Sequence, residues 1–363
     1  MNSVRLMRPY LTFEEVEADF RDVFRSGIFT RGPHVEAFRK ELAAFTGARH
    51  VHMATSATTA LWVCLKLLDI GPGDEVVVSD FSFPATANVV EDLGATPVFA
   101  DVSLETYNVL PETLERLISP RTKAVIFVDA LGNPSGLHAI SDLCRSKGIP
   151  LIEDAACAIG SSENGRRCGS IADLTCLSFH PRKLINTGEG GAITTDNDEW
   201  SHWLDVKLAH GASGAKGVGL DFSDYGYNFR LPELQAIMGR KQLFQLDAVI
   251  DLRNAQRDAY RAAIEPLGFI AQGVNQTVRY NVQSMVFAVP EGCKRDVLIA
   301  ALKERGIEST LGTYALSATT YYARRYGVNN SNARWLEANT ITLPCFAGLG
   351  PDIVCDAIHE ILG

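Results

Sequence analysis

Lys183 closes the run Ser178-Phe179-His180-Pro181-Arg182-Lys183 and is followed by Thr187-Gly188-Glu189-Gly190-Gly191, with the acidic pair Glu153-Asp154 upstream at the end of an apolar segment. A lysine amine can form a Schiff base with an aldehyde, and a serine with a glycine-rich backbone can hold a phosphate. A carboxylate can keep a pyridine nitrogen protonated. These are the requirements that pyridoxal 5′-phosphate (PLP) imposes on a protein, and on that ground the chain reads as an enzyme.

Positioning such a set takes a scaffold, and the first two hundred residues alternate short β-branched runs with amphipathic segments. Helices are predicted over 35–45, 58–68, 85–93, 110–118 and 140–147, and strands over 75–78, 97–100, 124–128 and 150–153. This βαβ alternation predicts an α/β fold whose central sheet is mostly parallel and flanked by helices on both faces. Ligands in such sheets sit beyond the carboxyl ends of the strands. Asp101, Asp129 and Asp154 each follow a predicted strand directly, so each is a candidate for the site and also for the cap of the next helix. Further on, a long helix is predicted over 231–263, a strand over 284–289 and a terminal helix over 352–362. The expected division is a large cofactor-binding domain, with the N-terminal segment, over 1–245 and a smaller C-terminal α+β domain over 246–363. No Pro/Gly/Ser linker separates them, so they should pack closely.

At 46% hydrophobic residues the 363-residue chain can bury a substantial core. Its formal net charge of −9, without any Lys/Arg-rich block, argues against nucleic acid or an anionic membrane as partner. No apolar run approaches the roughly 18 residues of a membrane span, and the first residues are too interrupted by charge for an export signal. The eight cysteines form no CxxC pair and no cluster with histidines, so they read as reduced, buried thiols of a cytoplasmic protein rather than disulfides or a metal site. The glycine-rich stretch 211–219 lacks the order of a phosphate-binding P-loop and follows no predicted strand, so it reads as a mobile surface loop near the site. No GxGxxG opens the first βαβ unit, which disfavours a nicotinamide or flavin cofactor.

The chain resembles the DegT/StrS family of fold type I PLP-dependent aminotransferases, which mostly act on nucleotide-linked keto sugars. The likeness extends from Phe29-Thr30-Arg31-Gly32-Pro33 to Leu343-Pro344-Cys345-Phe346, and the block Ser-x-x-x-x-Lys-x-x-x-x-Gly-Glu-Gly-Gly that starts at Ser178 carries it most specifically. The resemblance implies Lys183 as Schiff-base lysine and proton carrier, Asp154 as partner of the pyridinium nitrogen, and Phe83 as the aromatic stacked on the ring. It assigns the phosphate to Ser178 and to the turn Ser56-Ala57-Thr58 at a helix N-terminus, where free N–H groups favour an anion. Asn228, in Tyr227-Asn228-Phe229-Arg230-Leu231, would reach the phosphate of the neighbouring subunit, which implies a homodimer with shared active sites. Tyr314 belongs to the substrate loop, and Arg31 and Arg230 are candidates for the diphosphate of the acceptor.

Three positions depart from the family pattern. Ala57 replaces a glycine of the phosphate turn, Cys157 stands where a glutamine often contacts the ring hydroxyl, and Ser317 replaces a histidine of the substrate loop. The implied reaction is a two-step transamination. An amino acid, by resemblance L-glutamate, converts PLP to pyridoxamine phosphate (PMP), whose amine then passes to a keto group of a nucleotide-linked deoxy sugar. Sugar dehydratases that resemble the family carry histidine in place of the lysine, so Lys183 points away from them. The alternatives are transamination of a keto-cyclitol and a non-catalytic PLP-binding regulatory protein.

Overall fold

The computed structural model describes residues 3–363. Its largest element is a seven-stranded sheet in the order His50–Ala54, Gly191–Thr195, Leu174–Ser178, Leu151–Asp154, Thr122–Val128, Glu75–Ser79, Thr96–Ala100. Every pairing is parallel except the two made by Gly191–Thr195. The runs Glu75-Val-Val-Val-Ser and Leu174-Thr-Cys-Leu-Ser are buried along their whole length, as strands covered on both faces must be. One face packs on the helices Ala57–Leu67 and Ala85–Asp92. The opposite face carries two clusters, one around Leu137–Lys147 and one formed with Pro33–Thr46 and the start of the long helix. The predicted helices and parallel strands are therefore present, with ends shifted by no more than three residues. Gly191–Thr195 was not anticipated, because a strand that opens on glycine directly after a loop motif carries little periodic signal.

A second sheet of four strands joins Ile270–Ala271, Met285–Ala288, Thr340–Leu343 and Thr310–Leu311, all antiparallel. Helices Arg295–Glu304 and Asp352–Leu362 and the end of the long helix Glu233–Ile264 cover it. That helix runs unbroken through residue 245. The first described residues lie against the C-terminal part: Val4 makes an isolated bridge to Ile307, and Leu6 accepts from the Cys345 amide at 3.1 Å. Two short pairings tie the sheets together, Tyr314–Ala315 with Phe81–Ser82 and Val278–Arg279 with Ser162–Glu163.

The stretch 211–219 departs from the loop expected of it. Ala212–Lys216 and Gly219–Phe222 pair as an antiparallel hairpin, and Gly217 makes its turn at a φ of 61°. Glycine-rich strands lack side-chain alternation, so the pattern that marks a strand is missing. Val218, Leu220 and Phe222 of this hairpin are exposed.

Candidate active site

A cavity of about 540 Å³ opens at the carboxyl ends of the strands Thr122–Val128, Leu151–Asp154 and Leu174–Ser178. It is walled on the other side by Thr310–Tyr314, Met285 and Leu343 of the C-terminal sheet and by Leu6 and Met7. Ser56, Ala57, Thr58, Phe83, Asp154, Cys157, Ser178, Lys183 and Tyr314 all line it. Residues spread over more than two hundred and fifty positions of sequence thus converge on one space.

Asp154 ends its strand with the carboxyl buried. Thr86 Oγ1 donates to Oδ2 at 2.9 Å and the Ala156 amide donates to Oδ1 at 3.2 Å. Burial pushes this carboxyl above its ordinary range, while Thr86, Ala156 and the charge of Lys183 pull it back. A cationic nitrogen placed against it would supply the counter-charge that the pocket lacks. Thr86 in turn shares a 2.8 Å hydrogen bond with Ser82. Thr86 carries no distinguishing signal in the sequence, and only the fold reveals that it orients Asp154.

Lys183 lies in the turn between Leu174–Ser178 and Gly191–Thr195, its amide bonded to the His180 carbonyl at 2.8 Å. Its Nζ is 3.0 Å from Cys157 Sγ, so the thiol borders the lysine directly. Neighbouring His180 accepts the Arg182 amide on Nδ1 at 3.2 Å, which fixes a neutral ring with its proton on Nε2. Desolvation lowers its pKa in the same sense. Gln283 braces this turn by accepting from the Leu184 amide at 3.0 Å and donating to the Arg182 carbonyl at 2.6 Å.

The helix Ala57–Leu67 starts at the cavity wall. Ser56 caps it, accepting from the Thr59 amide at 3.1 Å while the Thr59 hydroxyl accepts from the Ser56 amide at 3.1 Å. The first N–H groups of a helix have no intrahelical partner, and those of Ala57 and Thr58 are left for an anion. Strand residue Gly191 passes close behind this turn. A Cβ there would fall 2.6 Å from the Ser56 carbonyl carbon and 2.8 Å from the Ala57 nitrogen, so only glycine lets the strand lie against the turn. Phe83 is 65% exposed on the cavity wall, and its ring is 6.4 Å from that of Tyr314. A planar ring entering here meets an aromatic face that nothing in this chain covers. A buried carboxylate, a lysine amine, a helix N-terminus and an open aromatic face fit the nitrogen, aldehyde, phosphate and ring of PLP respectively.

Arg31, Arg230 and Asn228 lie elsewhere. Thr30 bridges Pro232, so Arg31 and Arg230 come together at a separate pocket of about 140 Å³ that shares no lining residue with the first. In this chain they therefore do not reach the cavity to which they were assigned. Asn228, on a bridge to Ala209, is also absent from the cavity wall. Ser317 is fully buried, its amide and hydroxyl each 2.6 Å from the Asp80 carboxylate. It serves as an anchor of the loop that presents Tyr314.

The family model for DegT/DnrJ/EryC1/StrS aminotransferases matches residues 12–362. The chain belongs to that family. It is a PLP-dependent aminotransferase of fold type I. SpsC of Bacillus subtilis, a spore coat polysaccharide biosynthesis protein, is 34% identical over 97% of this chain and 95% of its own. Among solved structures, the aminotransferase TlmJ from Streptoalloteichus hindustanus superposes with a TM-score of 0.92 at 28% identity, covering 99% of this chain and all of its own. The PLP form of Spr1654 from Streptococcus pneumoniae gives a TM-score of 0.90 at 28% identity over 99% of this chain and 97% of its own. No helix among the described residues is long and apolar enough to cross a membrane.

Proposed function

We propose that the protein transfers an amino group from L-glutamate to a keto group of a nucleotide-linked deoxy sugar, as a homodimer with shared active sites. The observation that carries the reading is the convergence of Lys183 and Asp154 on one cavity that also offers a helix N-terminus for phosphate. The likeness to SpsC, a spore coat polysaccharide biosynthesis protein, supports a sugar acceptor.

In this reading PLP supplies the electron sink that makes a substrate α-proton removable. Lys183 Nζ takes that proton and returns it at the neighbouring carbon, then reverses the transfer for the acceptor. Asp154, held by Thr86 and the Ala156 amide, faces the ring nitrogen with its charge. Phe83 would offer its ring for stacking, Cys157 would stand near the ring hydroxyl, and Ser178 with the Ser56-Ala57-Thr58 turn would hold the phosphate. Tyr314 orients the acceptor from the opposite wall. The 1–245 and 246–363 parts meet around this cleft.

The dimer reading rests on residues that lie away from this chain's active-site cavity. Asn228, Arg31 and Arg230 would act on a second copy's cavity, and the exposed Val218, Leu220 and Phe222 give the hairpin an apolar face for that copy to cover. Mixing Lys183→Ala with Asn228→Ala chains and refolding them together should restore activity that neither homodimer has, since one site in the hybrid carries no lesion. Absence of recovery would contradict shared sites.

The amino donor is tested by the visible spectrum of the PLP-loaded protein with L-glutamate. The expected result is loss of the lysine-bound cofactor band, formation of PMP and release of one equivalent of 2-oxoglutarate. A band inert to glutamate but bleached by another amino acid replaces the donor, and one inert to all removes the transaminase reading of this site.

A further inference from the structure

Beside Asp154 lie two carboxyl groups that the reaction above does not use. Asp129 follows the strand Thr122–Val128, and Glu153 precedes Asp154 on the next strand. Both are fully buried. Register sets Phe127 opposite Glu153 and Val128 opposite Asp154, and the Asp129 amide donates to the Asp154 carbonyl at 3.2 Å. Side-chain oxygens of Asp129 and Glu153, with the Cys168 sulfur, all lie within 4.8 Å of one another.

Their hydrogen bonding is incomplete. Glu153 Oε2 accepts from Thr175 Oγ1 at 2.7 Å and from the Gly169 amide at 3.1 Å. Its Oε1 and both oxygens of Asp129 have no hydrogen-bond partner of ordinary geometry, and the nearest donor is the weak S–H of Cys168. The titratable groups facing the pair are Asp154 from the same strand as Glu153 and the buried Cys168 from the turn before Leu174–Ser178. Lys183 acts on Asp154, and no salt bridge reaches either member of the pair among the described residues.

Two ionised carboxylates this close in a buried site repel each other, and burial disfavours the charged form of each. One proton between them ends the repulsion and gives an orphaned oxygen an O–H donor. We propose that Asp129 and Glu153 share a single proton, making a pair of net charge −1 that positions Asp154 and sets the electrostatic background of the ring-nitrogen site. Burial raises both carboxyls, and Asp129 further because of the Glu153 charge. A carboxyl so raised contributes stability below its unfolded pKa of about 4, and that contribution is lost as pH rises through the folded value. The effect on Asp154 rests on the PLP reading of the cavity, whereas the shared proton does not.

Two measurements test the pair. Infrared spectra of the cofactor-free protein near neutral pH should show the C=O stretch of a protonated carboxyl, lost in Asp129→Asn. Absence of that band in the wild type overturns the proposal, as does a metal ion bound stoichiometrically after dialysis against chelator. The second measurement is the pH midpoint of the visible cofactor band in the loaded protein. Asp129→Asn keeps the pair at −1, so the midpoint should stay at the wild-type value. The double variant Asp129→Asn/Glu153→Gln removes one negative charge and should lower the midpoint by about one unit. If the single variant lowers it already, both groups were ionised. If the double variant does not move it, both were neutral, and either result rejects a shared proton. Failure of any cofactor band to form would count against the PLP reading alone, leaving the infrared result to decide the pair.

Discussion

Replacing Lys183 with alanine should lower turnover by at least about 10³-fold while the protein stays folded. The side chain makes one hydrogen bond, to Cys157 Sγ at 3.0 Å. The turn itself is held by backbone contacts and by Gln283, so truncation leaves the scaffold its supports. Two readouts separate chemistry from folding: release of 2-oxoglutarate from glutamate, and mass analysis after borohydride treatment. The wild type should retain the cofactor's mass on Lys183 and the variant should retain none. Near-normal turnover in the variant would overturn the assignment of this lysine.

Asp154→Asn comes next in size. The amide keeps the shape of the side chain and can still accept from Thr86 Oγ1, but it no longer carries charge. A carboxylate beside a protonated nitrogen favours the charged form by about 1–3 pKa units, equivalent to roughly 10- to 10³-fold in the population of the protonated ring. Turnover should fall by a factor in that range, with a smaller loss of cofactor affinity, because phosphate and ring contacts remain. Wild-type kcat in the Asp154→Asn enzyme would mean that the ring nitrogen is not paired here. The partially raised state of the Asp154 carboxyl without a counter-ion gives a second sign to check. Binding of a cationic ring should release a proton from this group in the pH range where it is still partly protonated.

Four of the parallel strands were legible because each is a short apolar or β-branched run set between longer amphipathic segments, whereas Leu174–Ser178, with a single β-branched residue, was not. Asp154 and Lys183 were legible because their neighbours restrict them: one ends such a run, the other sits in a serine and glycine frame. What escaped depended on contacts between distant segments. Thr86 has no distinguishing spacing, and only packing of the helix Ala85–Asp92 beside the end of Leu151–Asp154 turns its hydroxyl to the carboxylate. Arg31 and Arg230 carry no sequence signal for where they sit, because an arginine in a motif is ambiguous. The bridge between Thr30 and Pro232 joins them on another surface. Ser317 was legible only as a departure from a family histidine, and its task, donating twice to the Asp80 carboxylate, shows only in the fold.

The pairing of Tyr314–Ala315 with Phe81–Ser82 has a mechanical meaning. Together with the Leu316 amide donating to the Asp80 carbonyl and the Ser317 amide and hydroxyl donating to the Asp80 carboxylate, it ties the far wall of the cavity to the end of the strand Glu75–Ser79. The gap between Phe83 and Tyr314 is therefore a fixed jaw, and a substrate must match its width on arrival. In the reading proposed above, selection among acceptors would then be steric at the moment of encounter, with little further entropy lost to closure.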